Sequence, residues 1–296
     1  MNQPASPDVW WILSIASQDP DLNERVSEAL AEWSGQPAIE LSTPGQESVW
    51  TEGYFASEEA ARLAWLAIEN AEGVLQASIR PCPNKDWTTF WRHHFKPQAI
   101  GRGLYILPEW LRADPLPAAA AERKLVLVNP GLSFGTGDHF TTRFCLECID
   151  TLAGQGFHPN AVLDAGCGSA ILAIAARKLG WSNILAVDND PVAINQAREN
   201  LELNGVADGI RCEVMDLTQS WPKERFDLVI ANIYGGLLIE LAPRLLRAAS
   251  KTLILSGIRA IEADAVSSVF AQLGCRERSS SSDHEWCGLW LDVPGT

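Results

Sequence analysis

Apolar and polar positions along this chain fall into two textures. Over the first eighty residues, short apolar runs alternate with helical stripes. Val9-Trp10-Trp11-Ile12-Leu13-Ser14-Ile15 predicts a strand, after which Asp19 or Asp21 caps a helix that reaches about Trp33 and is ended by Gly35 and Pro37. Ala38 to Leu41 and Val49 to Phe55 read as two further strands separated by the Thr43-Pro44-Gly45 turn. Ser57, with Glu58 and Glu59 in the first turn, caps a second helix through Leu63, Leu66 and Ala67, and Val74 to Arg80 is a fourth strand. The order βαββαβ fits a small ferredoxin-like α+β domain, an architecture that presents surfaces for partners.

Pro81 to Pro117 is punctuated by proline and carries Trp87, Trp91, Trp110 and the pair His93-His94. It reads as a connector that packs, since each Trp buries about 150–250 Å². Two adjacent histidines point different ways on any regular element, so no metal site is expected there. The domain scheme is a ferredoxin-like domain over 1–82, a linker over 83–120 and a larger domain over 121–296.

In that larger domain the texture changes to near-continuous apolar runs that stop on polar residues and alternate with helical stripes. Leu125 to Asn129 is a strand, and Thr142 to Leu152 a helix. Val162-Leu163-Asp164-Ala165 turns through Gly166-Cys167-Gly168 into an Ala/Ile/Leu helix, which leads to Ala186-Val187-Asp188. Pro191 opens a helix with the stripe Ala193, Ile194, Ala197 and Leu201, and Asn204-Gly205 stops it. Ile210 to Val214, Phe226 to Asn232 and Thr252 to Ser256 are the next strands; Trp286 to Val293 alternates as an antiparallel one, and the serine run Ser279 to Ser282 reads as a turn. Strand alternating with helix means a parallel α/β, Rossmann-like sheet, whose ligands sit at the carboxyl edge where strand order reverses.

Composition narrows the function. A net charge of -14 over 296 residues argues against sequence-independent nucleic-acid binding, which needs Lys/Arg clusters, and is compatible with a basic protein partner. No stretch is long and apolar enough to span a bilayer, and Met1 to Ser6 lacks the positive region of a secretory signal, so a cytoplasmic, membrane-free protein is expected; a monomer is expected separately. Seven cysteines, an odd number, read as reduced; Cys145-x-x-Cys148 falls on an apolar helical segment and reads as two buried thiols, with no metal expected.

The chemistry gathers at strand ends. A dinucleotide fingerprint would place a third glycine where Ile171 stands, and Asp164 would set a negative charge beside the pyrophosphate. The cationic amino-acid end of S-adenosylmethionine would instead welcome that charge. Asp188, twenty-two residues after Gly166, is placed to accept hydrogen bonds from both ribose hydroxyls, and Asp216 is the candidate for the adenine end. Before this unit, Pro130 to Thr142 supplies Phe134, Gly135, Thr136 and Gly137 for close backbone approach and aromatic cover. Thr142 opens a helix whose N-terminus favours a carboxylate. Gly168 completes the turn, Asn232 ends the fourth strand, and His139 is a candidate proton acceptor or a structural loop histidine.

Taken together these motifs resemble the PrmA family of ribosomal protein L11 methyltransferases over nearly the whole chain. The resemblance is carried by Trp87 to Trp91, Asn129-Pro130-Gly131 through Phe134-Gly135-Thr136-Gly137 to Thr141-Thr142, and the unit Asp164 to Ala176. Val187 to Pro191, Ala231-Asn232-Ile233, Leu241-Ala242-Pro243, Leu255 to Ile258 and Glu285-Trp286 complete it. It implies a class I, S-adenosylmethionine-dependent protein N-methyltransferase acting on lysine or N-terminal amines of that ribosomal protein. It also implies cofactor contacts at Thr142, Gly166, Asp188 and Asn232, and an N-terminal substrate-recognition domain on a mobile linker. The chain departs from the family at Asn129 (usually Asp), Ala170 (usually the third glycine), Asp138 and Phe140 (usually Thr and Pro). Ile233-Tyr234 after Asn232 replaces the Pro-Pro-Tyr of amide-nitrogen methyltransferases, which favours an aliphatic amine. The alternatives are a methyltransferase for another basic protein or small amine, a nicotinamide-dependent oxidoreductase, and a non-catalytic binding module.

Overall fold

The computed structural model describes residues 9–34, 38–42, 48–69, 71, 73–83, 96–129 and 139–295. The chain divides into two compact units, Met1–His94 and Phe95–Thr296. The first is β1 (Val9–Ser17), α1 (Pro20–Ser34), β2 (Ile39–Ser42), β3 (Val49–Phe55), α2 (Glu58–Ile68) and β4 (Val74–Pro83). Its antiparallel sheet has the order β2-β3-β1-β4, as a ferredoxin-like βαββαβ unit requires. Ser57 Oγ accepts the Ala60 amide at 3.2 Å, the expected N-cap. Leu13, Ile15 and Phe55 bury against Leu22, Val26 and Leu30 of α1 and Ala61, Ala64 and Ile68 of α2. The next residues along β1 and β3 point to the opposite face. There the buried Glu52 accepts from Ser14 Oγ at 2.7 Å, Tyr54 Oη at 2.8 Å and Arg80 at 3.2 Å. Burial first, then Glu52, pushes the Tyr54 hydroxyl above its ordinary range.

The second unit opens with a small sheet, β5 (Gln98–Ile100), β6 (Leu104–Pro108) and β7 (Lys124–Val128). This corrects the expected linker over 83–120, because residues 98–108 are strands that pair with β7 inside the larger unit. The expectation missed them because they are three and five residues long, too short to show a period among prolines. The β5–β6 turn is held by Asp150 on α3 (Phe140–Gly154), whose carboxylate accepts the Arg102 and Gly103 amides at 2.8 Å each. Gly101, at φ +51, lies directly on that carboxylate, where a side chain would collide with it.

The main sheet comprises β8 (Val162–Ala165), β9 (Ile184–Asp188), β10 (Ile210–Val214), β11 (Phe226–Asn232), β12 (Ala249–Arg259), β13 (Arg276–Ser282) and β14 (Trp286–Asp292). Between them run α4 (Ile171–Lys178), α5 (Pro191–Asn204), α6 (Gly235–Ala248) and α7 (Ala263–Gln272). The order is β10-β9-β8-β11-β12-β14-β13, parallel through β12, with β14 antiparallel to both its neighbours. Alternate strand residues feed two cores. Val162, Ile184, Ala186, Leu228, Ile230 and Ile254 pack with α3, α4 and α5, while Leu163, Leu185, Val187, Val229, Ala231 and Leu255 pack with α6 and α7. Burial on both faces is why these strands read as near-continuous apolar runs. The serine run at 279–282, expected as a turn, is part of edge strand β13. All seven residues of that strand are exposed, so its pairing to β14 leaves no apolar alternation to read. Cys145 and Cys148 are buried on α3 as expected, and burial pushes both thiols up, Cys148 to about 12.

Candidate active site

The strand order reverses between β8 and β11, and the polar strand ends converge at that carboxyl edge. After Ala165 the chain must turn sharply into α4. Gly166 and Gly168 take positive φ of 75° and 51°, and the Gly166 and Cys167 amides both donate to the Val187 carbonyl at 2.9 Å. Asp188 then clamps the turn, with Oδ2 accepting the Gly168 amide at 2.9 Å and Oδ1 the Asp190 amide at 3.0 Å. Asp190 caps α5 through the Val192 amide at 2.8 Å.

Ala170 explains what the family's usual glycine does there. It sits at φ +61, ψ +22, fully buried, as the residue preceding α4. The left-handed conformation costs an L-residue about 1–2 kcal/mol, a strain a glycine avoids. The methyl therefore strains the helix start rather than merely tightening it.

Asp164 lies behind the turn rather than on its surface. It is fully buried; Oδ2 accepts the Ala173 amide at 3.1 Å, and Oδ1 has no hydrogen-bond partner among the described residues. Burial, reinforced by Asp188 and opposed by the Ala173 amide, pushes its pKa up to about 7. Asp216 stands just beyond β10, where the Met215 amide donates to the Asp188 carbonyl at 2.8 Å. Its Oδ1 accepts from the Thr218 hydroxyl at 2.7 Å and the Thr218 amide at 2.8 Å, and its Oδ2 from Gln219 Nε2 at 2.7 Å. Those bonds hold the carboxyl below its usual range. Both oxygens are thus already engaged in a local turn.

On the other side of the switch point, Asn232 ends β11. Its Nδ2 donates to Thr142 Oγ1 at 3.4 Å, while its Oδ1 is buried without a hydrogen-bond partner among the described residues. Thr142 is fully buried in the first turn of α3. Ile233 follows, wedged between two glycines. A side chain at Gly166 would run into Ile233 Cγ2, and a Cβ on Gly257 (φ +79) would lie 2.5 Å from the Ile233 carbonyl oxygen. The Ile233 amide also donates to the Ser256 carbonyl at 3.1 Å. The Ser256-Gly257 motif at the bend of β12 thereby fixes the strand end that carries Asn232.

His139 has a structural assignment. It is the N-cap of α3, with Nδ1 2.8 Å from Thr141 Oγ1 and accepting the Thr141 amide at 3.4 Å, and its ring stands edge-on to Trp286 at 5.0 Å between centroids. An Nδ1 that accepts the Thr141 amide also accepts the Thr141 hydroxyl, whereas a protonated Nδ1 donates to that hydroxyl. Phe134, Gly135, Thr136 and Asp138 lie outside the described residues, as do Trp87, Trp91, His93 and His94.

The structure thus gathers Thr142, Asp164, Gly166, Gly168, Asp188 and Asn232 at one sheet edge. A family model described as ribosomal protein L11 methyltransferase (PrmA) matches residues 10–292, spanning both units. The chain belongs to the PrmA family. Ribosomal protein L11 methyltransferase of Myxococcus xanthus is 34% identical over 256 residues, covering 86% of this chain and 85% of that protein. The protein of the same name from Photobacterium profundum is 36% identical over 257 residues, covering 83% of each. Among solved structures, ribosomal protein L11 methylase from Lactobacillus delbrueckii subsp. bulgaricus superimposes with a TM-score of 0.60 at 30% identity, covering 67% of this chain and 98% of that one. The PrmA match carries the resemblance read from the motifs onto both the N-terminal unit and the sheet.

Proposed function

We propose that the edge formed by the Gly166–Gly168 turn, Asp188 and Asn232 holds S-adenosylmethionine and an acceptor amine of ribosomal protein L11. The protein is a methyltransferase of the PrmA family, with that cofactor and that substrate. The residues fit the cofactor. A buried carboxylate complements its cationic end, two positive-φ glycines bring backbone close, and a clamping Asp188 faces the place where a ribose belongs. When bound, S-adenosylmethionine supplies an activated methyl on a sulfonium.

The chain's own residues then align and desolvate. Displacement of the methyl needs no covalent enzyme intermediate, so most of the acceleration comes from alignment. The observation that carries the reading is the Asn232 Oδ1, a buried acceptor with no partner among the described residues at the end of the switch-point strand. It is suited to accept an N–H of a neutral amine and aim the nitrogen lone pair, while Thr142 Oγ1 holds the other end of the carboxamide. A lysine near pKa 10.4 gives up its proton at pH 7 at a cost of about 4–5 kcal/mol, which burial beside a sulfonium lowers. The proton leaves to water before the amine is enclosed.

The N-terminal unit selects the protein, and the enzyme works as a cytoplasmic monomer without nucleic acid. Among the described residues no helix is long and apolar enough to cross a membrane. The test is intact-mass spectrometry of purified ribosomal protein L11 after incubation with this protein and S-adenosylmethionine. Methyl increments on lysine or the N-terminal amine are expected, and none with Asp188→Ala. An unchanged mass from protein that still binds the cofactor would overturn the substrate.

A further inference from the structure

Two asparagines one helical turn apart on α5 turn inward and behave like a strand. Asn204 Oδ1 accepts the Leu127 amide at 2.9 Å and its Nδ2 donates to the Leu127 carbonyl at 2.7 Å. Asn200 repeats the pattern on Asn129, with Oδ1 accepting the amide at 3.1 Å and Nδ2 donating to the carbonyl at 3.2 Å. The spacing explains why it works. Four residues of helix rise about 6.0 Å and two residues of strand advance about 6.6 Å, so carboxamides at i and i+4 meet Leu127 in β7 and Asn129 just after it. They satisfy the edge of β7 that β6 leaves open.

Asn200 does one thing that Asn204 does not. Its Nδ2 also donates, at 3.0 Å, to the carbonyl of Ser169, inside the turn between Gly168 and the strained Ala170. Asn200 is 1% exposed and Ser169 fully buried, so water does not replace the bond. We infer that Asn200 is a positioning residue for the cofactor turn: one carboxamide sets both the Ser169 peptide and the backbone of Asn129, from which the chain enters 130–138. This rests on the reading that the Gly166–Gly168 turn holds the cofactor. Removing the carboxamide frees the peptide that fixes the left-handed step at Ala170, and the Gly168 amide, clamped on Asp188, loses its register.

Asn204 provides the internal control, because it makes the same bridge to β7 and touches no part of the turn. The experiment measures S-adenosylmethionine affinity by calorimetry and thermal midpoint for Asn200→Ala, Asn204→Ala and Asn200→Asp, the last keeping the acceptor and losing the donor. Both alanine variants are expected to melt earlier. Asn200→Ala and Asn200→Asp are expected to weaken cofactor binding about tenfold or more, with Asn204→Ala within about twofold of the parent. Should Asn200→Ala prove unfolded, Asn200→Asp carries the test. Equal affinities for the Asn200 and Asn204 variants, with Asp188→Ala unable to bind, would overturn the positioning role alone. Undiminished binding by Asp188→Ala would remove the site reading beneath it.

Discussion

Asp188 Oδ2 accepts the Gly168 amide at 2.9 Å, so the carboxylate that ends the second strand of the cofactor unit also shapes the turn of the first. One residue therefore has two jobs. Asp188→Ala is expected to abolish S-adenosylmethionine binding and to cost about 1–3 kcal/mol of stability through the orphaned amides. Asp188→Asn retains one acceptor oxygen and should recover much of the stability with little of the affinity. Calorimetry and urea melts on the two variants separate these effects; micromolar binding by Asp188→Ala would count decisively against the site.

The strain at Ala170 yields the opposite kind of variant. Ala170→Gly removes a Cβ from a left-handed, fully buried position and is expected to stabilise the protein by about 1 kcal/mol, seen as a raised thermal midpoint. Cofactor affinity should stay within about twofold, since Ala170 offers no polar side chain to a ligand. A lowered midpoint would mean that the methyl's packing outweighs the strain.

What the sequence revealed and what it hid follow from the length scale of each interaction. The parallel sheet was legible because both faces are buried, giving Leu228 to Ala231 an unbroken apolar run that ends on Asn232. The glycine turn and Asp188 were legible because they are local. The Asn232 to Thr142 contact joins positions ninety residues apart, so each was read from its own element and no local pattern joined them. Asn200 was missed although it left a signal. It is a poor helix former on the buried stripe of Ala193, Ala197 and Leu201, where a carboxamide must find partners. Asp216 stands at the expected strand end, its carboxylate oriented by Thr218 and Gln219.

Asp164 makes stability depend on pH. Its pKa rises from the ordinary carboxylate range in the unfolded chain to about 7 in the folded one, chiefly through burial. The folded state thus holds the proton that the unfolded state releases. The favourable contribution is complete below about pH 4 and is lost as pH climbs through 7. In cofactor-free protein, Asp164→Asn should flatten this part of the profile and gain relative to the parent between pH 5 and pH 8. Denaturant melts at those two pH values check it; parallel profiles for parent and variant would show that the buried carboxylate does not titrate there.

Gly257 tests how firmly the catalytic strand end is held from behind. At φ +79, with a Cβ due 2.5 Å from the Ile233 carbonyl oxygen and 3.0 Å from its amide nitrogen, alanine has neither the conformation nor the space. Backbone cannot yield as a flexible side chain would, so Gly257→Ala must move Ile233 and with it Asn232. A loss of about 2 kcal/mol or more is expected, with a fall in kcat of about tenfold or more in the fraction that remains folded. Gly154→Ala is the control. Gly154 lies in the last turn of α3 with nothing within 4 Å of an added Cβ, so alanine there should be neutral or slightly stabilising and leave kcat unchanged. A Gly257→Ala protein with parental melting and kcat would show that the Ser256-Gly257 bend does not set the position of Asn232.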